Sequence, residues 1–407
     1  MNIKSLRLIN YLSHADTTIS DLAPVTVLVG PNGAGKSAVF DGLHTLSRLL
    51  TGPVGQPFAV PPYSFNDRLF RGASKKDMAF EAEFGDPQFA VGVRYTIRIG
   101  FSGAENVGAP PSILDEVVKL DGKTIFDRAA KKLDVNGITL ADIRPDMALL
   151  ATIRQLRKNQ FKGPQALGHL ASRIGSVIRY RLEPRRLSMP STEPDPGGHV
   201  RLGYEGQNLS ACLYWMRENN PSLLAKVVSD IRGVIPSLKG ISFNFVGTDG
   251  VGFSFEFDDA RQSVLAPNAS SGTLLLLGLV TLLNSPTVPE IACIEEPETG
   301  LTPDAMRLFL SLLITAATRA DAKSRGQFFF SSHSPFVLVD AWNSTTADRS
   351  FIKRFHVSQG RSVVEDIQSI IDRGDSGAVL QKTSNGRDTM GLKTAEELMC
   401  GRFLPSA

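Results

Sequence analysis

The chain has 407 residues, 42% hydrophobic and 21% charged, with a formal net charge of +3. Such a chain is a soluble globular protein of one large domain with an insertion, or of two or three smaller ones, and any nucleic-acid footprint on it has to be local. No basic start leads into an apolar signal core, the longest apolar run (Leu274 to Leu283) is about half of a membrane span, and Cys212, Cys293 and Cys400 lack C-x-x-C spacing. These features argue against secretion, membrane insertion, a disulfide framework and a zinc site, and they point to a reducing cytoplasm.

Residues 2–9, 16–20 and Val25–Val29 read as three short strands, expected together at one sheet edge. The third runs into Gly30-Pro31-Asn32-Gly33-Ala34-Gly35-Lys36-Ser37, the pattern G-x-x-x-x-G-K-S. Its glycines free the backbone to turn several N–H groups toward an anion, and the helix that follows adds its positive end. Lys36 would reach the β- and γ-phosphates, and the Ser37 hydroxyl would ligate Mg²⁺. A Rossmann site fits less well, because Gly33-x-Gly35 lacks the third glycine at its offset. Residues 36–50 space apolar groups at three and four, as the required helix must.

The stretches 78–84 and 91–101 alternate as strands, and Asp121-Gly122 marks a hairpin between two more. From about 145 to 178 the texture is helical. Residues 151–186 hold nine Lys or Arg (Arg154, Arg157, Lys158, Lys162, Arg173, Arg179, Arg181, Arg185, Arg186) against one acid, Glu183. That excess is either a contact surface for DNA or RNA phosphates or a solvated face for an acidic partner. A polar linker, 189–198, precedes two helices (207–217 and 221–233) and a hairpin over 241–257 turning at Asp249-Gly250.

Ser270, Ser271 and Gly272 stand before an apolar helix, where they serve either as a helix cap or as a γ-phosphate receptor. Residues 291–294 then form a buried-type strand that opens into Glu295-Glu296-Pro297-Glu298. Carboxylates at the mouth of a buried strand are costly unless a cation or a catalytic task keeps them there. Beside a phosphate loop, Glu295 is assigned to the metal and Glu296 to general-base work on the attacking water. After a helix over about 304–320, the strand 327–330 ends at Ser331-Ser332-His333, where His333 could bond the γ-phosphate and sense its loss. His14, His44, His169, His199 and His356 have no comparable setting.

These four motifs, in this order, resemble the ABC-type ATPases. Within them they resemble the AAA-domain ATPases related to the ATPase part of overcoming-lysogenisation-defect (OLD) nucleases and to RecF and SMC heads. The resemblance covers about 1–100 and 175–357, including the opening Ile3-Lys4-Ser5-Leu6 with Asn10-Tyr11 and the segment Gly203-Tyr204-Glu205-Gly206-Gln207-Asn208-Leu209. It implies an α/β, two-lobed P-loop head, with a mixed β lobe, a parallel-sheet α/β lobe and a helical insertion. The implied divisions are 1–110 (lobe with the phosphate loop), 111–175 (inserted hairpin and basic helical segment), 176–357 (remaining core) and 358–407 (small helical tail). It also implies that Ser270, Ser271 and Gly272 act across a dimer on the partner's nucleotide, that Gly300-Leu301-Thr302-Pro303 touches the partner, and that His333 is the switch histidine. Relatives often carry aspartate at the place of Glu295 and histidine at the place of Thr302, and Gln56 is the candidate for the Q-loop.

The resemblance implies an ATPase with ATP and Mg²⁺ as cofactors. It would form a homodimer or higher oligomer through its heads and control a separate effector, a nuclease or toxin, in DNA repair or antiphage defence. The alternative is an ATP-stabilised scaffold or sensor with little turnover. No heptad pattern supports an SMC-like arm, and too few residues follow the last ATPase strand for a Toprim nuclease. A transporter subunit fits poorly, because Ser-Ser-Gly-Thr departs from L-S-G-G-Q.

Overall fold

The computed structural model describes residues 2–59, 64–86, 91–101, 110–135, 138–156, 163–192, 201–247, 250–258, 262–287, 289–318, 326–344, 351–373, 380–382 and 388–400. The chain divides into two units, one of Met1–Val177, Ala347–Val379 and Glu396–Ala407, the other of Ile178–Thr346 and Leu380–Ala395.

In the first unit β1 (Asn2–Tyr11) and β2 (His14–Ile19) form an antiparallel pair. β3 (Val25–Val29) does not join them as the sequence led us to expect. Its four consecutive buried residues suit a strand covered on both faces, and it pairs in parallel with a strand that returns from residue 352 onward. α1 (Lys36–Leu49) follows the phosphate loop and buries Val39, Phe40, Leu43 and Leu46. β4 (Asp77–Asp86), β5 (Val91–Gly100), β6 (Ser112–Leu120), β7 (Lys123–Asp127) and β8 (Lys132–Leu133) complete a seven-stranded sheet in the order β2-β1-β4-β5-β6-β7-β8. Asp121 and Gly122, at φ 46° and 81°, make the tight turn between β6 and β7. Residues 112–133 therefore extend the sheet of the first lobe and are not a separate inserted hairpin. β6 pairs with β5 along nearly its whole length, a register fixed by distant partners. α2 (Leu149–Gln155) and α3 (Gln165–Ile174) follow and pack against each other.

The second unit opens with β9 (Val177–Tyr180), followed by α4 (Pro184–Leu187), α5 (Leu209–Asn219), α6 (Pro221–Arg232) and the antiparallel strands β10 (Leu238–Val246), β11 (Gly250–Phe257) and β12 (Val264–Leu265). Asp249, expected at the hairpin turn, lies outside the described residues. α7 (Ser271–Asn284) is apolar all round and buried from Leu274 to Asn284, so the longest apolar run is a core helix. No helix among the described residues is long and apolar enough to cross a membrane. β13 (Ile291–Glu295), α8 (Pro303–Ala317), β14 (Gln327–Ser332) and α9 (Pro335–Ser344) follow. β13 and β14 run parallel, with Glu295 opposite Ser331, and β9 flanks β13.

Back in the first unit, β15 (Ile352–Ser358) is the partner of β3 and forms a hairpin with β16 (Arg361–Asp366). The segment after residue 358 is thus not simply a helical tail. β16 is held to β15 by backbone pairing and by the Lys353–Asp366 and Arg354–Glu365 ion pairs; a helix follows at Ile367–Asp372, and another, Leu392–Cys400, has its first residues assigned to the second unit.

Candidate nucleotide site

The phosphate loop has the geometry its composition requires. Gly30, Gly33 and Gly35 sit at φ 146°, 77° and 101°, where a side chain is strained. A Cβ on Gly30 would lie 2.1 Å from the Phe355 carbonyl oxygen, and one on Gly35 would lie 2.3 Å from Ser362 Oγ and 2.8 Å from Ser13 Oγ. The β15–β16 hairpin therefore backs the loop closely enough to demand glycine. Pro31, Asn32, Gly33 and Ser37 are exposed, whereas Ala34 and Lys36 are buried. The Lys36 ammonium donates to the carbonyls of Gly30 (2.7 Å) and Pro31 (2.9 Å), so the loop wraps a buried cation. No side chain caps α1 at Gly35, in contrast to α7 and α8, which Ser270 and Thr302 cap. An uncapped helix start, a glycine cradle and an enclosed ammonium together fit a polyphosphate.

His14 supports this loop and carried no signal in the sequence. It is buried, its Nε2–H donates to the Gly35 carbonyl at 3.1 Å, and Nδ1 has no hydrogen-bond partner among the described residues. Burial pushes its imidazole down to about 4, so the ring is neutral. The Asn10-Tyr11 pair also gains a physical role. Asn10 takes the left-handed conformation and donates to the Asp77 carbonyl, and the Tyr11 hydroxyl bonds Asp41 and Thr45 of α1, joined by Arg68. Burial and the neighbouring Asp41 carboxylate raise the Tyr11 phenol well above its usual range.

In the second unit Ser270 is the N-cap of α7, accepting from the Thr273 N–H at 3.1 Å. Ser270 and Ser271 remain exposed at that helix start. A Cβ on Gly272 would lie 2.6 Å from the Gly300 carbonyl oxygen, so the serine-glycine signature and the Gly300–Pro303 loop are packed against each other. The tandem glutamates divide by environment. Glu295, its side chain 7% exposed, accepts from Arg179 Nη2 at 2.5 Å and Nε at 3.1 Å. Glu298 accepts from Ser332 Oγ (2.8 Å) and the His333 N–H (3.1 Å), which ties the 296–300 turn to the end of β14. Glu296, in the left-handed region at φ 44°, keeps a 37% exposed carboxylate, 3.5 Å from His333 Nδ1. A bulky residue in that conformation marks a turn the surroundings enforce, here through the Glu296 N–H bond to the Ser331 carbonyl. Cys293, beneath them, is buried with its thiol pushed up by desolvation, and is inert.

Among the described residues the members of the basic run have different surroundings. Arg154 lies over Gly175, Arg173 donates to Asn2, and Arg179 pairs with Glu295, while Arg181, Arg185 and Arg186 are exposed. Arg157, Lys158 and Lys162 lie outside the described residues, and the run itself is split between the two units. Arg179, which holds Glu295, and Tyr204, whose ring lies 6.0 Å from the guanidinium carbon, stand beside the tandem glutamates and were not among the motif residues. Their only sequence signals were a place in the charge run and in the Gly203–Leu209 segment. Among the described residues no cluster of three or more His, Cys, Asp or Glu forms a metal cage. Ser37 in the first unit and Glu295 in the second each carry oxygen of the kind that Mg²⁺ takes as a ligand.

Comparison with known proteins finds a family and a fold similar to this chain's. The DNA double-strand break repair Rad50 ATPase of Sulfolobus acidocaldarius is 49% identical over 43 residues, which are 11% of this chain and 5% of that protein. The chain thus matches only a small part of that relative's length. An SMC head solved bound to the C-winged helix domain of ScpA superposes with a TM-score of 0.55 at 12% identity, covering 91% of this chain and all of that one. The SMC head domain from Thermotoga maritima gives 0.45 at 16% identity, covering 90% and 99%. The fold is that of the ABC-type, SMC-like ATPase heads. Through residues 25–340 the chain belongs to the family described as "AAA domain, putative AbiEii toxin, Type IV TA system".

Proposed function

We propose that the protein binds and hydrolyses ATP with Mg²⁺, dimerises head to tail on the nucleotide, and thereby controls a separate effector, a nuclease or toxin, in DNA repair or antiphage defence. The observation that carries the reading is the division of labour among the three glutamates. Glu295 and Glu298 are each engaged by donors of the protein, whereas Glu296 stays half-exposed beside His333. In this reading Glu296 draws the proton from the attacking water, and His333 donates to the γ-phosphate. Lys36 turns from its own loop carbonyls to the phosphates, and Ser37 and Glu295 are the metal's ligands. When bound, the metal would offset the charge that develops on the transferred phosphoryl group. The exposed Ser271 beside Gly272 is the surface offered to a second head. The effector reading draws on the family's description, and the repair reading on the name of the Rad50 relative.

Turnover of Glu296→Gln tests the assignment. It should fall by about 10²- to 10⁴-fold, the usual worth of a general base, while ATP affinity is kept. Hydrolysis at the wild-type rate would remove Glu296 from the mechanism.

A further inference from the structure

β9 lies hydrogen-bonded beside β13, and this pairing brings Arg179 to Glu295 across 116 positions of sequence. Nε and Nη2 of the guanidinium converge on one carboxylate oxygen, Oε1, at 3.1 and 2.5 Å. An arginine that simply neutralises a carboxylate tends to fork across both oxygens. Here Oε2 accepts no hydrogen bond from the described residues. Both side chains are largely shielded, at 19% and 7% exposure, so the contact is held by its surroundings.

We propose that Arg179 is a positioning residue for the divalent metal: it fixes the carboxylate through Oε1 and leaves Oε2 aimed at the ion. The proposal rests on the reading of Glu295 as a metal ligand. Mg²⁺ demands near-ideal octahedral geometry, so a carboxylate held in one rotamer binds it better than one free to swing, and partners behind a ligand set that orientation. The metal–nucleotide complex is a net anion, so a nearby guanidinium does not oppose it as a whole.

The test is an electron paramagnetic resonance titration of Mn²⁺ into the full chain with a non-hydrolysable ATP analogue. Arg179→Met should weaken Mn²⁺ binding by about ten- to a hundredfold, the usual effect of removing a ligand's supporting partner. Affinity for the analogue in excess chelator should not change, and Arg179→Lys should recover part of the loss. Mn²⁺ binding that is unaltered or tighter in Arg179→Met overturns the proposal. If the methionine variant does not fold, unaltered or tighter binding in Arg179→Lys overturns it equally. Glu295→Gln in the same titration separates the two readings. If it weakens Mn²⁺ binding while the Arg179 variants do not, Arg179 alone loses its role. If it too has no effect, Glu295 is not a ligand and both readings fall.

Discussion

His14 shows how much a single residue can add to a site without touching its ligand. Its ring closes the space behind Gly35, and it is neutral because burial holds its basicity down to about 4, below its ordinary value of 6.5. The unfolded chain therefore takes up the proton first as pH falls. The stability this residue contributes is complete above about pH 6.5 and is lost progressively down to about pH 4, by on the order of 3 kcal/mol in all. Urea unfolding at pH 7 and pH 4.5 should show a smaller loss for His14→Gln than for the wild type, since other groups titrate alike in both. Equal losses would mean that the ring is protonated or solvated in the folded protein. Nothing near His14 in the sequence signals this, because its partner Gly35 lies 21 positions away and the contact depends on how β2 is placed. Lys36, by contrast, was legible at once, since loop, lysine and helix are contiguous and the chemistry is local.

Among the elements, β6 carries a charge where its alternation calls for a core residue. Glu116 is fully buried on the same face as Val118. It accepts from Tyr95, from Arg128 Nη2 at 2.8 Å and from the Leu149 N–H at 2.8 Å, the last being the first residue of α2. One carboxylate thus joins three parts of the first unit and caps a helix. Burial raises its basicity, and Arg128 and these donors offset the cost. Glu116→Ala would leave the guanidinium without its acid and should destabilise the protein by about 3–5 kcal/mol in denaturant unfolding. A loss under about 1 kcal/mol would match an exposed pair instead. Strand and hairpin were readable here from alternation and from Asp121-Gly122. The inward acid was not, because its partners are set by sheet register and by α2.

For the whole molecule, the reading turns on a second copy. Glu296→Gln protein should sediment as a dimer with ATP and Mg²⁺ and as a monomer without them, whereas Ser271→Arg should bind ATP and stay monomeric. A Ser271→Arg protein that dimerises as well as its parent would place the interface elsewhere. The sequence by itself determined the phosphate loop, the order of the motifs, the two kinds of sheet and the family, because each rests on contiguous residues whose spacing carries the physics. Only the tertiary structure decided which of these carboxylates are held by donors of the protein and which stays open to solvent. Arg179 and Ser332 come from β9 and β14, and the His333 N–H from just past β14; by engaging Glu295 and Glu298 they leave Glu296 as the carboxylate proposed for the base. Hydrogen-bond partners that arrive from over thirty or a hundred positions away leave no periodicity in the chain, so strand pairing alone could reveal them.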